Sequence, residues 1–295
     1  MPEIIRLLKS TASSDYSTDF VSKVFNNIGQ LGAIVSVYWP PLKFGQFPNL
    51  VVRATAYNSR VEIVTNIVRL KYPPLQFNTN YQRASTPDNP MFYCTLNKGP
   101  DFKDLKPQLA TCFHETFSDY NKLLSTNDSI CFSLWYIKRP LRLLTVFKVN
   151  EFNNDLDAYI EIRNAYHQGT ENLDDDLKAN TNEFNEFLAD RFSIPVDGNI
   201  DDYKPSGLIT QHMLQALIRK NMEIDGIIFK STRSPNSDFN LAILPDSCDS
   251  KLECLKVIDC KLLPNQVAKG NSQFLVDKKS GDLIDKQELN WFLKL

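Results

Sequence analysis

ICFSLWYI at residues 130–137 and LRLLTVFKV at residues 141–149 decide the fold class. Both runs are dense in β-branched and aromatic residues, so both read as strands. Working back from them, residues 105–125 place Leu109, Cys112, Phe113, Thr116, Phe117 and Tyr120 on one side of a helix. MFYCTL (91–96) reads as a short strand, and the polar stretch 72–90, with four prolines, as a long loop. NLVVRAT (49–55) and VEIVTNIVRLK (61–71) read as strands. Residues 15–30 carry Phe20, Val21, Val24, Phe25 and Ile28 at helical spacing, before Trp39-Pro40-Pro41 breaks regularity. Downstream, 208–222 is an amphipathic helix, IDGIIFKS and NLAILPD are short strands, and LECLKVIDCKLL (252–263) is a further strand. The tail 264–295 alternates polar and apolar residues. Helices and strands are mixed without regular βαβ alternation. The expected class is therefore α+β, with a curved or split sheet and helices packed beside it.

Composition narrows the functions. Ten glycines in 295 residues fall well below the roughly 7% of ordinary domains. No GxGxxG and no GxxxxGK[ST] is present, which disfavours standard Rossmann and P-loop nucleotide sites. Lys+Arg is 33 against Asp+Glu 35, so no global field draws the chain to nucleic acid or anionic lipid. The N-terminus MPEIIRLLKSTASSDYS has no signal-peptide core, and the longest apolar stretch, Leu31 to Pro41, is far shorter than a bilayer span. A cytoplasmic protein with no membrane partner is expected. The six cysteines are then free thiols. Cys248, Cys254 and Cys260 recur every six residues without the tight C-x(2–4)-C pairs of structural zinc. The plainer reading puts Cys254 and Cys260 on one buried strand face, with no metal. Residues 171–190 carry seven acids against one lysine, yet Leu177, Phe184, Phe187 and Leu188 keep an apolar stripe, as a solvated amphipathic helix does.

Few residues invite chemistry. Arg53 interrupts an apolar strand, Arg83 lies just before MFYC, and Tyr93 is inside that strand. Glu115 sits on a helix among Cys112, Phe113, Thr116 and Phe117, and Ser231 follows IDGIIF. Taken singly, each has a structural explanation: a snorkelling cation, a solvated helix flank, a turn. Glu115 is the least comfortable, because a carboxylate on an apolar side is costly unless paired. No GxSxG is present, His114, His167 and His212 are isolated, and no second acid can be named to pair with Glu115.

Two blocks together resemble the RES domain family. One is YQRASTPDNPMFYCTL (81–96) followed by ATCFHET (110–116). The other is YKPSGLITQHMLQALIRKNMEIDGIIFKSTRSPNSDFNLAIL (203–244), and VVRAT (51–55) is similar to the strand bearing the family's first Arg. The resemblance runs from about residue 50 to 246. Arg69 is the other candidate for that first Arg, and Phe229-Lys230 stands where Tyr-Pro is common. The resemblance implies a RES-like domain over 49–262 with an insertion at about 150–200. A helical extension over 1–48 and a C-terminal extension over 263–295 flank it.

The resemblance also implies an ADP-ribosyltransferase-like split sheet that consumes NAD+ as substrate, with no bound cofactor. The nicotinamide–ribose bond would be broken by phosphorolysis or hydrolysis, in some relatives by toxins paired with an antitoxin. Glu115, Arg83 and Tyr93 would form the catalytic set, and Arg53, Ser231 and Asn240 would bind substrate. Bond cleavage builds positive charge on the ribose, which a carboxylate stabilises; that role falls to Glu115. Arg53 and Arg83 would fork onto the pyrophosphate, Tyr93 would stack on nicotinamide, Ser231 would donate to ribose or phosphate, and Asn240 would orient the loop. Alternatives are a protein ADP-ribosyltransferase and an inactive RES-like interaction module.

Overall fold

The computed structural model describes residues 2–26, 36–39, 50–96, 105–117, 120–126, 128–151, 157–194, 200–232, 239–263 and 267–294. The first half carries α1 (Pro2–Ser10), α2 (Thr18–Asn26), β1 (Ser36–Trp39), β2 (Leu50–Tyr57), β3 (Phe92–Leu96), α3 (Leu105–Thr116), α4 (Tyr120–Thr126), β4 (Ser129–Ile137) and β5 (Leu141–Val146). The second half adds α5 (Asp157–Thr170), α6 (Asp175–Ser193), α7 (Lys204–Arg219), β6 (Gly226–Lys230), β7 (Phe239–Ile243), α8 (Pro245–Lys251), β8 (Leu252–Leu263), β9 (Val267–Val276) and β10 (Leu283–Lys294). The class is mixed α+β. All ten strands share one sheet in the order β1-β5-β6-β7-β3-β2-β4-β8-β9-β10. β5 and β6 run parallel, and the other neighbouring pairs are antiparallel.

The sheet is weakly joined at its middle. β2 pairs with β4 along its whole length, Leu50–Tyr136 through Tyr57–Ser129. It meets β3 only at Val51–Leu96 and Val52–Thr95. β3 continues beside β7 instead, from Thr95–Asn240 to Phe92–Ile243. Strand alternation then sorts the side chains. Val51, Phe92, Cys94, Trp135, Leu143, Ile228 and Leu241 share one core face with Ile162 of α5. On the opposite face, Val52, Ala54 and Phe132 meet Leu109, Cys112 and Phe113 of α3. Further along that face, Ala242, Ile227 and Leu144 meet α1, α2, α6 and α7.

β4 is buried almost throughout, because it has strands on both sides and cores on both faces, so its sequence is a continuous apolar run. Three expectations are corrected. Residues 61–71 are not a strand. β2 ends at Tyr57, and the chain passes through a turn to a 3₁₀ turn over Ile67–Leu70, with only Leu70 buried there. Val61 is 84% and Ile63 80% exposed, so β-propensity without a partner edge gave no strand. The single helix expected over 105–125 is two, α3 and α4. The acidic stretch is the amphipathic helix expected there, since α6 buries Phe184, Phe187 and Leu188 of its apolar stripe, and Phe192 beyond them. Cys254 and Cys260 do not share a face. β8 pairs Lys256 with Leu134 but Cys254 with Trp135, so Leu255 bulges out and the alternation flips. Cys254 joins Trp135 in one core, and Cys260 joins Ile258 in the other.

The N-terminal helix of the expected 15–30 span is α2, which buries Val21 and Val24; Ile28, Pro40 and Pro41 lie outside the described residues. α1 has no counterpart in the sequence reading. No helix among the described residues is long and apolar enough to cross a membrane.

Asp225, 2% exposed, ties three elements together. Its carboxylate accepts from Arg142 N at 2.7 Å, Ser247 Oγ at 2.6 Å and Lys251 Nζ at 2.8 Å. Next to it, a Cβ on Gly226 would lie 2.1 Å from Ala242 O, so only glycine lets β6 approach β7 there.

Asp225→Ala strips Arg142 N and Ser247 Oγ of their acceptor and leaves Lys251 only its Glu223 contact at 2.6 Å, and should cost about 3 kcal/mol in urea unfolding. A loss below about 1 kcal/mol would show that the Asp225–Lys251 pair is dispensable. All six thiols are buried, and burial pushes the Cys112 thiol up to about 11 and the Cys254 thiol up to about 12. A thiol reagent at pH 8 should find essentially none in the native protein and all six after denaturation. Rapid reaction of even one native thiol would contradict that burial.

Candidate functional site

α3 lies across β2 and β3 where they part. Cys112 Sγ donates to Val52 O at 3.3 Å, which seats the helix on β2. Glu115 follows three residues later, on the same side of the helix and partly exposed. Its Oε1 accepts a hydrogen bond from Ser231 Oγ and one from Thr232 N at 2.9 Å. The β6–β7 ladder ends at Lys230–Phe239. Thr232, two residues further on, lies outside that ladder, and its N–H turns to the carboxylate. Hydrogen bonds to an ionised acceptor are about twice as strong as neutral ones.

Arg83 reaches the same dipeptide from the other side. Its Nη2 donates to Thr232 Oγ1 at 3.2 Å. Nη1 donates to the carbonyls of Phe192 and, at 3.2 Å, Ile194, at the C-terminal end of α6, where a cation also suits the helix dipole. The guanidinium carbon is 5.3 Å from the Tyr203 ring centroid. Arg83 is 6% exposed and has no carboxylate partner among the described residues.

The loop that carries Arg83 is fixed by α7 and β3. A Cβ on Gly207 would stand 2.7 Å from Ser85 O and 2.8 Å from Gln82 O, so α7 touches the loop backbone directly. Gln211 Nε2 donates to Ala84 O at 2.7 Å. Tyr93 Oη accepts from Ala84 N at 2.9 Å and bonds Ser85 Oγ at 3.1 Å. Burial pushes the Tyr93 phenol up to about 12, so it stays protonated.

Asn240 belongs to the same face of the sheet. It stands opposite Phe229 on β6, and Ser231 is the next residue on that side of the strand. Thr95 Oγ1 donates to Asn240 Oδ1 at 2.9 Å. Asn240 Nδ2 is buried without a partner. The amide therefore spends its oxygen on Thr95 and keeps both N–H donors.

Arg53 is not brought to this group. Alternation places it with Val51 and Tyr57, on the face away from Glu115. Its Nη1 donates to Tyr93 O at 2.9 Å, and its guanidinium carbon lies 5.3 Å from the Phe92 centroid. Burial lowers its pKa, an effect the Cys112 and Cys94 thiols partly offset. Arg69 is engaged in a two-point ion pair with Glu62 at 2.5 and 3.2 Å.

The structure therefore brings Glu115, Ser231, Arg83, Tyr93 and Asn240 to one side of the sheet and leaves Arg53 on the other. Thr232, Gly207, Gln211 and Tyr203 complete the arrangement and were not singled out in the sequence. Gly207 left one signal, a glycine inside an otherwise helical pattern. A carboxylate, a guanidinium sharing Thr232 with it, and an unspent amide group can together hold a ligand with a positive centre and acceptor oxygens. No group of three metal-binding side chains occurs among the described residues. A cleft of about 590 Å³ opens between α5 and α6, lined by Tyr166, His167, Gln168, Thr170, Glu171 and Lys178. Its lining includes none of the site residues and none of the buried polar atoms left without a partner.

With its donors on the chain's own carbonyls and on Thr232, Arg83 acts first as a structural tie. Arg83→Met should lower unfolding stability by about 2 kcal/mol. A change below about 0.5 kcal/mol would free the guanidinium for a purely ligand-directed role. No protein-family model matches this chain, and no curated protein matches it.

Proposed function

We propose that this chain is a RES-like enzyme that breaks the nicotinamide–ribose bond of NAD+, on a sheet of the ADP-ribosyltransferase-like kind. The observation that carries the reading is the meeting at Ser231-Thr232 of Glu115, 116 residues away from Ser231, and Arg83, 149 residues away from Thr232. The weak join between β2 and β3 beside α3 is compatible with a split sheet.

In the proposed reaction the bond between ribose C1′ and the nicotinamide nitrogen breaks, and its electron pair leaves with neutral nicotinamide. Positive charge grows on the ribose next to Glu115, whose carboxylate stabilises it. A neutral leaving group needs little acid assistance. Water or phosphate then bonds to C1′ through oxygen and releases its proton. Tyr93 supplies a ring for nicotinamide, and Asn240 supplies its unpaired amide group to a substrate oxygen. An antitoxin-like partner belongs to the same resemblance and is proposed with it.

A second reading has its own observation. Arg53 lies on the far face, and Nη1 of Arg83 is spent on the chain's own carbonyls. Both facts favour a RES-like scaffold that binds partners without turnover.

Nicotinamide release from NAD+, followed chromatographically with and without phosphate, separates the readings. The enzyme reading expects release by the parent protein, and a loss of about a hundredfold or more in Glu115→Ala with an unchanged circular dichroism spectrum. Equal release by folded Glu115→Ala would remove Glu115 from the reaction. A folded parent protein that releases none would favour the scaffold.

A further inference from the structure

Arg53 stands where β2 and β3 separate. The ladder closes at Val52–Thr95 and goes no further. Beyond that point the β2-facing edge of β3 pairs with no strand among the described residues, and an unpaired buried carbonyl costs about as much as a lost hydrogen bond. Arg53 Nη1 donates to the Tyr93 carbonyl at 2.9 Å and so replaces the missing strand contact. The guanidinium rests over the Phe92 ring, has no carboxylate partner among the described residues, and leaves Nε unpaired. Tyr93 passes the constraint through the sheet. Its backbone is held from one face, while its phenol on the other face grips Ala84 and Ser85, the two residues after Arg83. Arg83 in turn holds Thr232, whose N–H donates to Glu115.

We propose that Arg53 is a positioning residue that clips the parted strands together and fixes Tyr93, and through it the Arg83 loop, against Glu115. It is not a ligand for the pyrophosphate. The turnover arm of the test rests on the NAD+ reading above; the structural arm does not.

Two variants separate the roles. Arg53→Met keeps the apolar stem without donors, and Arg53→Lys keeps one donor site. Should Arg53→Met fail to fold, Arg53→Lys carries the same comparison. Hydrogen–deuterium exchange on protein without NAD+ reads the clip directly. Residues 92–96 should exchange about tenfold faster in Arg53→Met, with 129–137 unchanged and Arg53→Lys intermediate. Calorimetry should give an NAD+ affinity within about threefold of the parent, while turnover at saturating NAD+ falls about tenfold. Unchanged exchange at 92–96 overturns the proposal. So does a tenfold weaker affinity with saturated turnover kept, which would make Arg53 a ligand. A parent that neither binds nor cleaves NAD+ overturns the functional reading alone, and the exchange result still decides the clip.

Discussion

The antiparallel ladder between β2 and β3 runs for two residue pairs and stops. Much else in the molecule follows from that interruption. Backbone groups freed by a parting sheet must find other partners or carry the cost of burial. On one face a side-chain donor, Arg53, meets the exposed carbonyl of Tyr93. On the other face α3 lies across the gap, with Cys112 bonded to Val52 O and Glu115 projecting past the apolar contact. A fully zipped sheet would give Arg53 no carbonyl to satisfy.

The polar group on the α3 face is built from long-range contacts. Glu115 is supported by a hydroxyl and a main-chain N–H at the end of β6, so its anchor is the point where a strand stops. Arg83 is held by carbonyls at the end of α6, by a hydroxyl and by an aromatic ring, without a described carboxylate. The same carbonyls make the arginine part of the scaffold. Arg83 thus joins the end of α6, the Thr232 hydroxyl and the Tyr203 ring through one side chain, and a single substitution acts on all three contacts.

Legibility differed between elements for identifiable reasons. The continuous apolar runs of β4 and β5 were readable because burial on both faces leaves no polar alternation to disguise them. α7 was readable from its stripe. VEIVTNIVRLK misled, because β-branched residues describe a preference for a strand and not the presence of an edge to pair with. The six-residue cysteine spacing misled because one bulge at Leu255 reverses every later side chain. In the site, resemblance pointed to Arg83, Tyr93, Glu115, Ser231 and Asn240. Nothing in the sequence indicated that Thr232 would be the hinge between Arg83 and Glu115, since its neighbours in space are far away along the chain.

By itself the sequence determined the α+β class, most of the strands, and the absence of glycine-rich phosphate loops. Those properties rest on local propensity, periodicity and composition, which need no partner to be read. Only the tertiary structure decided which face Arg53 occupies and where the sheet parts. It alone also decided that a carboxylate and a guanidinium meet at one dipeptide. Strand register and strand ends set those outcomes, and register is fixed by the packing of the whole sheet rather than by any segment within it.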